Sequence, residues 1–129
     1  MMQTMRLPKD FVLAPDRSEI RPLLNLTRGG MAHCTLPPAG VSVAVRHRTI
    51  EEIWYFIEGR GKVWRKQGAR EEVVEATPGT CVTIPTGAHF QFRNSGEGSL
   101  AFLIATMPPW PGENEAVRAP NHWPVEDER

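Results

Sequence analysis

Apolar and polar residues alternate over short runs along this chain. Val41, Val43, Val45 and His47 would share one face of an extended strand, with Ser42, Ala44 and Arg46 on the other. Runs rich in Val, Ile, Phe and Thr predict strands at 20–26, 31–36, 41–47, 53–57, 62–66, 72–75, 80–84, 90–93 and 100–106. Turn formers separate most of them, among them Gly29-Gly30, Pro37-Pro38-Ala39-Gly40, Pro78-Gly79 and Pro85-Thr86-Gly87. No segment carries a long 3.6-residue apolar repeat, so a helical bundle is excluded. Short strands at this spacing predict an all-β sandwich or barrel.

A length of 129 residues allows one domain with a sizeable core. Fifteen basic and fifteen acidic residues cancel, which argues against nucleic acid or an anionic membrane held by bulk charge. No run approaches the ~18 apolar residues of a membrane span. The first ten residues lack the basic-then-apolar order of a secretory signal. Cys34 and Cys81 are too few for a disulfide scaffold and read as reduced core thiols, which suits a cytoplasmic protein. From residue 107 onward the chain holds five prolines and two tryptophans, an irregular arm with Trp110 and Trp123 as anchors. The expected organisation is an N-terminal arm over 1–18, a barrel over 19–107 and a packed Pro/Trp-rich arm over 108–129.

Two segments carry candidate chemistry. In the first, the valine stripe marks a buried face and His47 ends it. Glu52 opens the next strand on the face of Trp54 and Phe56. A carboxylate leading into an apolar interior needs a partner, and a metal ion, an arginine or a bound proton would each serve. In the second segment His89 shares a face with Gln91, while Phe90 and Phe92 take the other. Two imidazoles and a carboxylate on different strands suit a divalent first-row metal with open positions. His33, on a candidate strand, is a further imidazole within reach of such a site, or a structural residue. His122 lies in the arm and reads as exposed.

The runs Glu52 to Gly59, with six residues between them, and Gly79, five residues, Pro85-Thr86-Gly87 resemble the paired motifs of the cupin superfamily. His47, four residues before Glu52, takes the place of the second histidine of the first motif. The resemblance spans about Glu19 to Met107. Departures are visible. Val45 stands where the first motif histidine belongs, and His89 comes one residue early after Gly87. A gap-free placement puts Arg48 and Phe90 at ligand positions instead. The valine stripe favours His47, and a turn shortened by one residue would bring His89 inward.

The resemblance implies a single-domain jelly-roll barrel, a homodimer and a divalent transition metal such as iron, manganese, nickel or zinc. Its expected ligands are His47, Glu52 and His89. Trp54, Phe56, Gln91 and Phe92 are the expected pocket residues. The implied function is a metal-binding cupin acting on a small polar metabolite by an oxygenase, isomerase or lyase step. A non-catalytic small-molecule binding or sensing cupin is the alternative from another class. A metal-free, isomerase-like cupin with a histidine base is a third reading.

Overall fold

A computed structural model describes residues 1–125 of the chain. The described residues form eleven strands: β1 (Val12–Leu13), β2 (Glu19–Asn25), β3 (Gly30–Leu36), β4 (Val45–His47), β5 (Glu51–Glu58), β6 (Gly61–Gln67), β7 (Arg70–Ala76), β8 (Cys81–Ile84), β9 (His89–Asn94), β10 (Leu100–Met107) and β11 (Ala116–Arg118). They form two antiparallel sheets, β1-β2-β3-β10-β5-β8 and β11-β4-β9-β6-β7. The two sheets make an all-β jelly roll, the fold class the sequence predicts. Among the described residues no helix is long and apolar enough to cross a membrane.

The period of two decides what lies between the sheets. In β5, Glu52, Trp54 and Phe56 point inward and are buried, whereas Ile53, Tyr55 and Ile57 point outward and are exposed. β9 sends Phe90 and Phe92 inward, and β10 sends Phe102 and Ile104. Trp54 sits at the centre, with ring centroids 5.3 Å from Phe90, 5.2 Å from Phe92 and 4.6 Å from Phe102. Most of these pairs are edge-to-face, the favourable arrangement of ring quadrupoles.

Two turn residues have conformational reasons to be glycine. Gly59 has φ +82°, and an added Cβ would stand 2.3 Å from the Ser99 carbonyl oxygen. Gly87 has φ +84°, and its N–H donates to the His47 carbonyl at 3.0 Å. That bond ties the turn before β9 to the end of β4. Asn94, at the end of β9, donates to the carbonyls of Leu36 and Gly98 and accepts from the Gly96 N–H. It ties the end of β3 to the β9–β10 loop at the barrel end opposite Gly87.

Several expectations need correction. The strand expected over 41–47 is regular only from Val45. The preceding residues bond to several different elements: Ser42 N to Phe92 O, Val43 N to Asp16 O, and Ala44 N to Asn121 Oδ1. No single neighbour strand receives them, so the ladder is interrupted. β1 and β11 are too short to leave an alternation in the sequence. They add an edge strand to each sheet from segments expected to be arms. The last four residues of the expected C-terminal arm lie outside the described residues. Cys34 is buried, but Cys81 is exposed on the outward face of β8 and is not a core residue.

Candidate functional site

Between the sheets lies a cavity of about 380 Å³. Its apolar wall includes Trp54, Phe90, Phe92, Phe102 and Ile104, and its polar groups include Asp16, His47, Glu52 and Thr106. Ala14, Pro15 and Trp110 line it from the segments flanking the barrel. The volume lies within the range of small-molecule sites.

β4 and β5 bring His47 and Glu52 to this one cavity. Glu52 is 6 % exposed, and both its oxygens accept hydrogen bonds: Oε1 from Trp54 Nε1 at 3.0 Å, Oε2 from Thr106 Oγ1 at 2.8 Å. Burial pushes its carboxyl from 4.5 up to about 7, against the pull of those two donors. His47 is 4 % exposed, with its ring 5.0 Å from Phe90 and 5.5 Å from Trp110. Burial lowers its imidazole from 6.5 to about 4, opposed by the Glu115 carboxylate. Its buried Nδ1 has no hydrogen-bond partner among the described residues. Burial likewise raises the Asp16 carboxyl, and it holds the Cys34 thiol well above its ordinary value.

Glu115 holds the turn between His47 and Glu52. It accepts from Thr49 N, Thr49 Oγ1 and Ile50 N at 2.7, 2.6 and 2.9 Å. Burial pushes its carboxyl upward, but these donors outweigh that and leave it below the ordinary carboxylate range. Nothing in the sequence pattern marks Glu115, Asp16 or Thr106 here, and it marks Trp110 only as an anchor of the arm. Each reaches the site from a distant segment, and no local spacing signals it.

His89 is not in the cavity. β9 runs in unbroken register with β4, where Val45 faces Phe90 and Arg46 faces His89, and with β6 from Gly61↔Asn94 to Lys66↔His89. Phe90 therefore takes the inward position, and a shortened turn does not rescue the histidine, because one residue of slip would reverse every side chain of β9. His33 also points outward, from β3, opposite Arg21 and Leu103.

The expected metal set thus shrinks to His47 and Glu52. Among the described residues no group of three or more His, Cys, Asp and Glu side chains is placed to hold an ion. Val45 and Phe90 offer no donor atoms, and both Glu52 oxygens already serve neutral N–H and O–H groups. The residues present do not fit the metal centre that the cupin motifs imply.

Of the expected pocket residues, Trp54 and Phe92 line the cavity. Phe56 is fully buried behind them, its ring tilted against Phe102 with centroids 4.6 Å apart. Gln91 belongs elsewhere. It is fully buried beneath the C-terminal segment on the outer face of its sheet. Its Nε2 donates to the carbonyls of Ser42 and Trp123, and its Oε1 accepts from the N–H groups of His122 and Trp123. His122 is exposed, as the sequence predicts, and its ring stacks on Trp64 at 5.1 Å. Gln91→Leu would leave these buried backbone groups unpaired. We expect a loss of about 2 kcal/mol in urea unfolding and faster proteolysis within 116–125. Unchanged stability would contradict this role.

The two antiparallel sheets and the cavity between them define a small double-sheet barrel. The family model described as "Cupin domain" matches residues 32–106, more than half of the chain, and the chain belongs to that family. An uncharacterized protein of Methanocaldococcus jannaschii is 29 % identical over 110 residues, covering 81 % of this chain and 85 % of its own. Oxalate decarboxylase from Bacillus subtilis has a similar structure, with a TM-score of 0.69 and 15 % identity over 78 % of this chain and 27 % of that chain. The capsular polysaccharide assembling protein CapF from Staphylococcus aureus has a TM-score of 0.67 and 18 % identity over 81 % of this chain and 32 % of its own. This chain thus spans about a third of each of those solved proteins. At these identities the likeness is one of fold.

Proposed function

We propose that this cupin binds a small organic molecule inside the barrel without a resident metal, with His47 and Glu52 as the polar pair that receives it. The carrying observation is the mostly apolar cavity that both His47 and Glu52 line. CapF, a cupin-like neighbour, has been solved with the inhibitor 3-isopropenyl-tropolone, which supports a small-molecule role for the fold. The test is fragment binding to metal-stripped protein, beside Ala32→Phe, which narrows the cavity from a half-buried wall position. Binding lost in that variant, with its unfolding midpoint retained, is the expected result. Binding unaffected by Ala32→Phe would refute the site. Stoichiometric metal retained after reconstitution with iron, manganese, nickel or zinc would refute its metal-free character.

A second reading is favoured by the opposed titration of the pair. A neutral imidazole and a carboxyl that still holds a proton near pH 7 are suited to act as base and acid in an isomerase-type proton transfer. Turnover that survives chelation and is lost in both His47→Ala and Glu52→Gln would establish it.

We also propose that the chain is a homodimer through the outer face of the larger sheet. Met31, Ile53, Tyr55 and Ile57 are each at least 40 % exposed on that face. A contiguous apolar face of this kind is unusual on a monomer. Light scattering should report a dimer for the wild type and a monomer for Tyr55→Glu. A monomeric wild type at micromolar concentration would refute the proposal.

A further inference from the structure

Most polar groups of the cavity wall already have partners. The Asp16 carboxylate accepts from the Ser18 N–H at 2.9 Å and from its hydroxyl at 2.6 Å. Glu52 is held by Trp54 and Thr106. His47 is the exception, more than nine-tenths buried at the wall, with Nδ1 unpaired among the described residues. A cavity-lining imidazole with a hydrogen bond still unmade is a place for one hydroxyl of a ligand.

The charge inventory of the wall is one-sided. Two carboxyl groups line the cavity, and among the described residues no lysine or arginine does. An anion entering here would lose its water, find no cation and meet two acids. An organic ammonium would find the acids. It would have to bury an ion pair among Trp54, Phe90, Phe92 and Phe102, where desolvation consumes the attraction. A neutral ligand incurs neither cost and still gains from burying its apolar body.

We propose that this cavity takes an uncharged, mostly apolar molecule with a single hydroxyl head bonded to His47, and rejects small carboxylates and dicarboxylates. This rests on the reading that the barrel cavity is the ligand site. It separates the chain chemically from its decarboxylase-like neighbours, with which it shares only the fold.

The test uses two bodies, each with three heads, on the unmodified protein at neutral pH. One set is 2-phenylethanol, phenylacetate and phenethylamine. The other is indole-3-ethanol, indole-3-acetate and tryptamine. Oxalate is added as the dicarboxylate. Calorimetric Kd values should favour at least one alcohol over both its charged partners by at least about tenfold, the scale of one buried-charge penalty. Oxalate should show no binding. In His47→Phe the alcohol should weaken by about tenfold, one hydrogen bond's worth. Preference for a carboxylate, an ammonium or oxalate would overturn the inference while leaving the cavity reading intact. Failure of every probe to bind would overturn the cavity reading and the inference with it. The head-group series decides even if His47→Phe does not fold.

Discussion

Trp54→Ala is expected to lower the unfolding free energy by about 3–5 kcal/mol, the range for deleting a buried aromatic side chain. Trp54 is 1 % exposed and touches the rings of Phe56, Phe90, Phe92 and Phe102, which come from three strands of both sheets. Its removal joins new empty volume to an existing cavity, so little collapse is available to soften the loss. It also strips Glu52 Oε1 of its indole donor. Against a total stability of about 5–15 kcal/mol, such a loss is large. Denaturant unfolding at 25 °C measures it. A change below about 1 kcal/mol would mean that Trp54 is not the packing centre. Trp54→Phe should recover much of the packing but not the hydrogen bond.

Glu52→Gln should stabilise the protein increasingly as pH rises. The folded carboxyl titrates at about 7 rather than 4.5, so between those values the folded state holds a proton that the unfolded state has released. Stability associated with Glu52 is therefore fully present below about 4.5 and lost as pH rises through about 7. The interval from 4.5 to about 7 corresponds to about 3 kcal/mol. Glutamine stays neutral and has no such loss. His47 works in the opposite direction. Its imidazole falls from 6.5 to about 4, so its burial costs stability at low pH and the cost vanishes as pH rises. The two slopes oppose each other over most of the same interval, and the wild-type curve should be comparatively flat there. The difference between the Glu52→Gln and wild-type curves isolates one group. It should be near zero at pH 4 and grow to about 3 kcal/mol by pH 8. Parallel curves would show that Glu52 is ionised and solvated in the folded protein.

Both predictions concern residues legible in the sequence itself. Trp54 and Glu52 share a face because strands have a period of two, and that period is written in the alternation from Glu52 to Phe56. The valine stripe ending at His47 carried the same kind of information. The motif spacing between Glu52 and Gly59 set the β5–β6 turn, where the close approach to Ser99 tolerates no side chain. These are local facts, and local sequence can state them.

His89 shows the limit. Its place depended on whether the turn at Gly87 shortens by one residue, and nothing within the turn decides that. The register was imposed from both sides, by β4 and β6, whose pairings leave Phe90 inward. Gln91 failed for a related reason: a polar residue between two phenylalanines reads as facing a wet pocket or solvent. Only the return of residues 116–125 over the outer face of β9 makes it a buried clamp. Glu115 and Asp16 reach the site across long stretches of chain, which leave no spacing to detect.

The sequence by itself thus determined the barrel class, the inward stripe of β4 and β5, and the pair His47 and Glu52, because alternation and turn chemistry act between near neighbours. Tertiary structure alone decided that among the described residues no third metal donor joins them, that they line an apolar cavity, and that their proton affinities move in opposite directions. Those properties arise from register, burial and desolvation, which depend on which distant segments pack together.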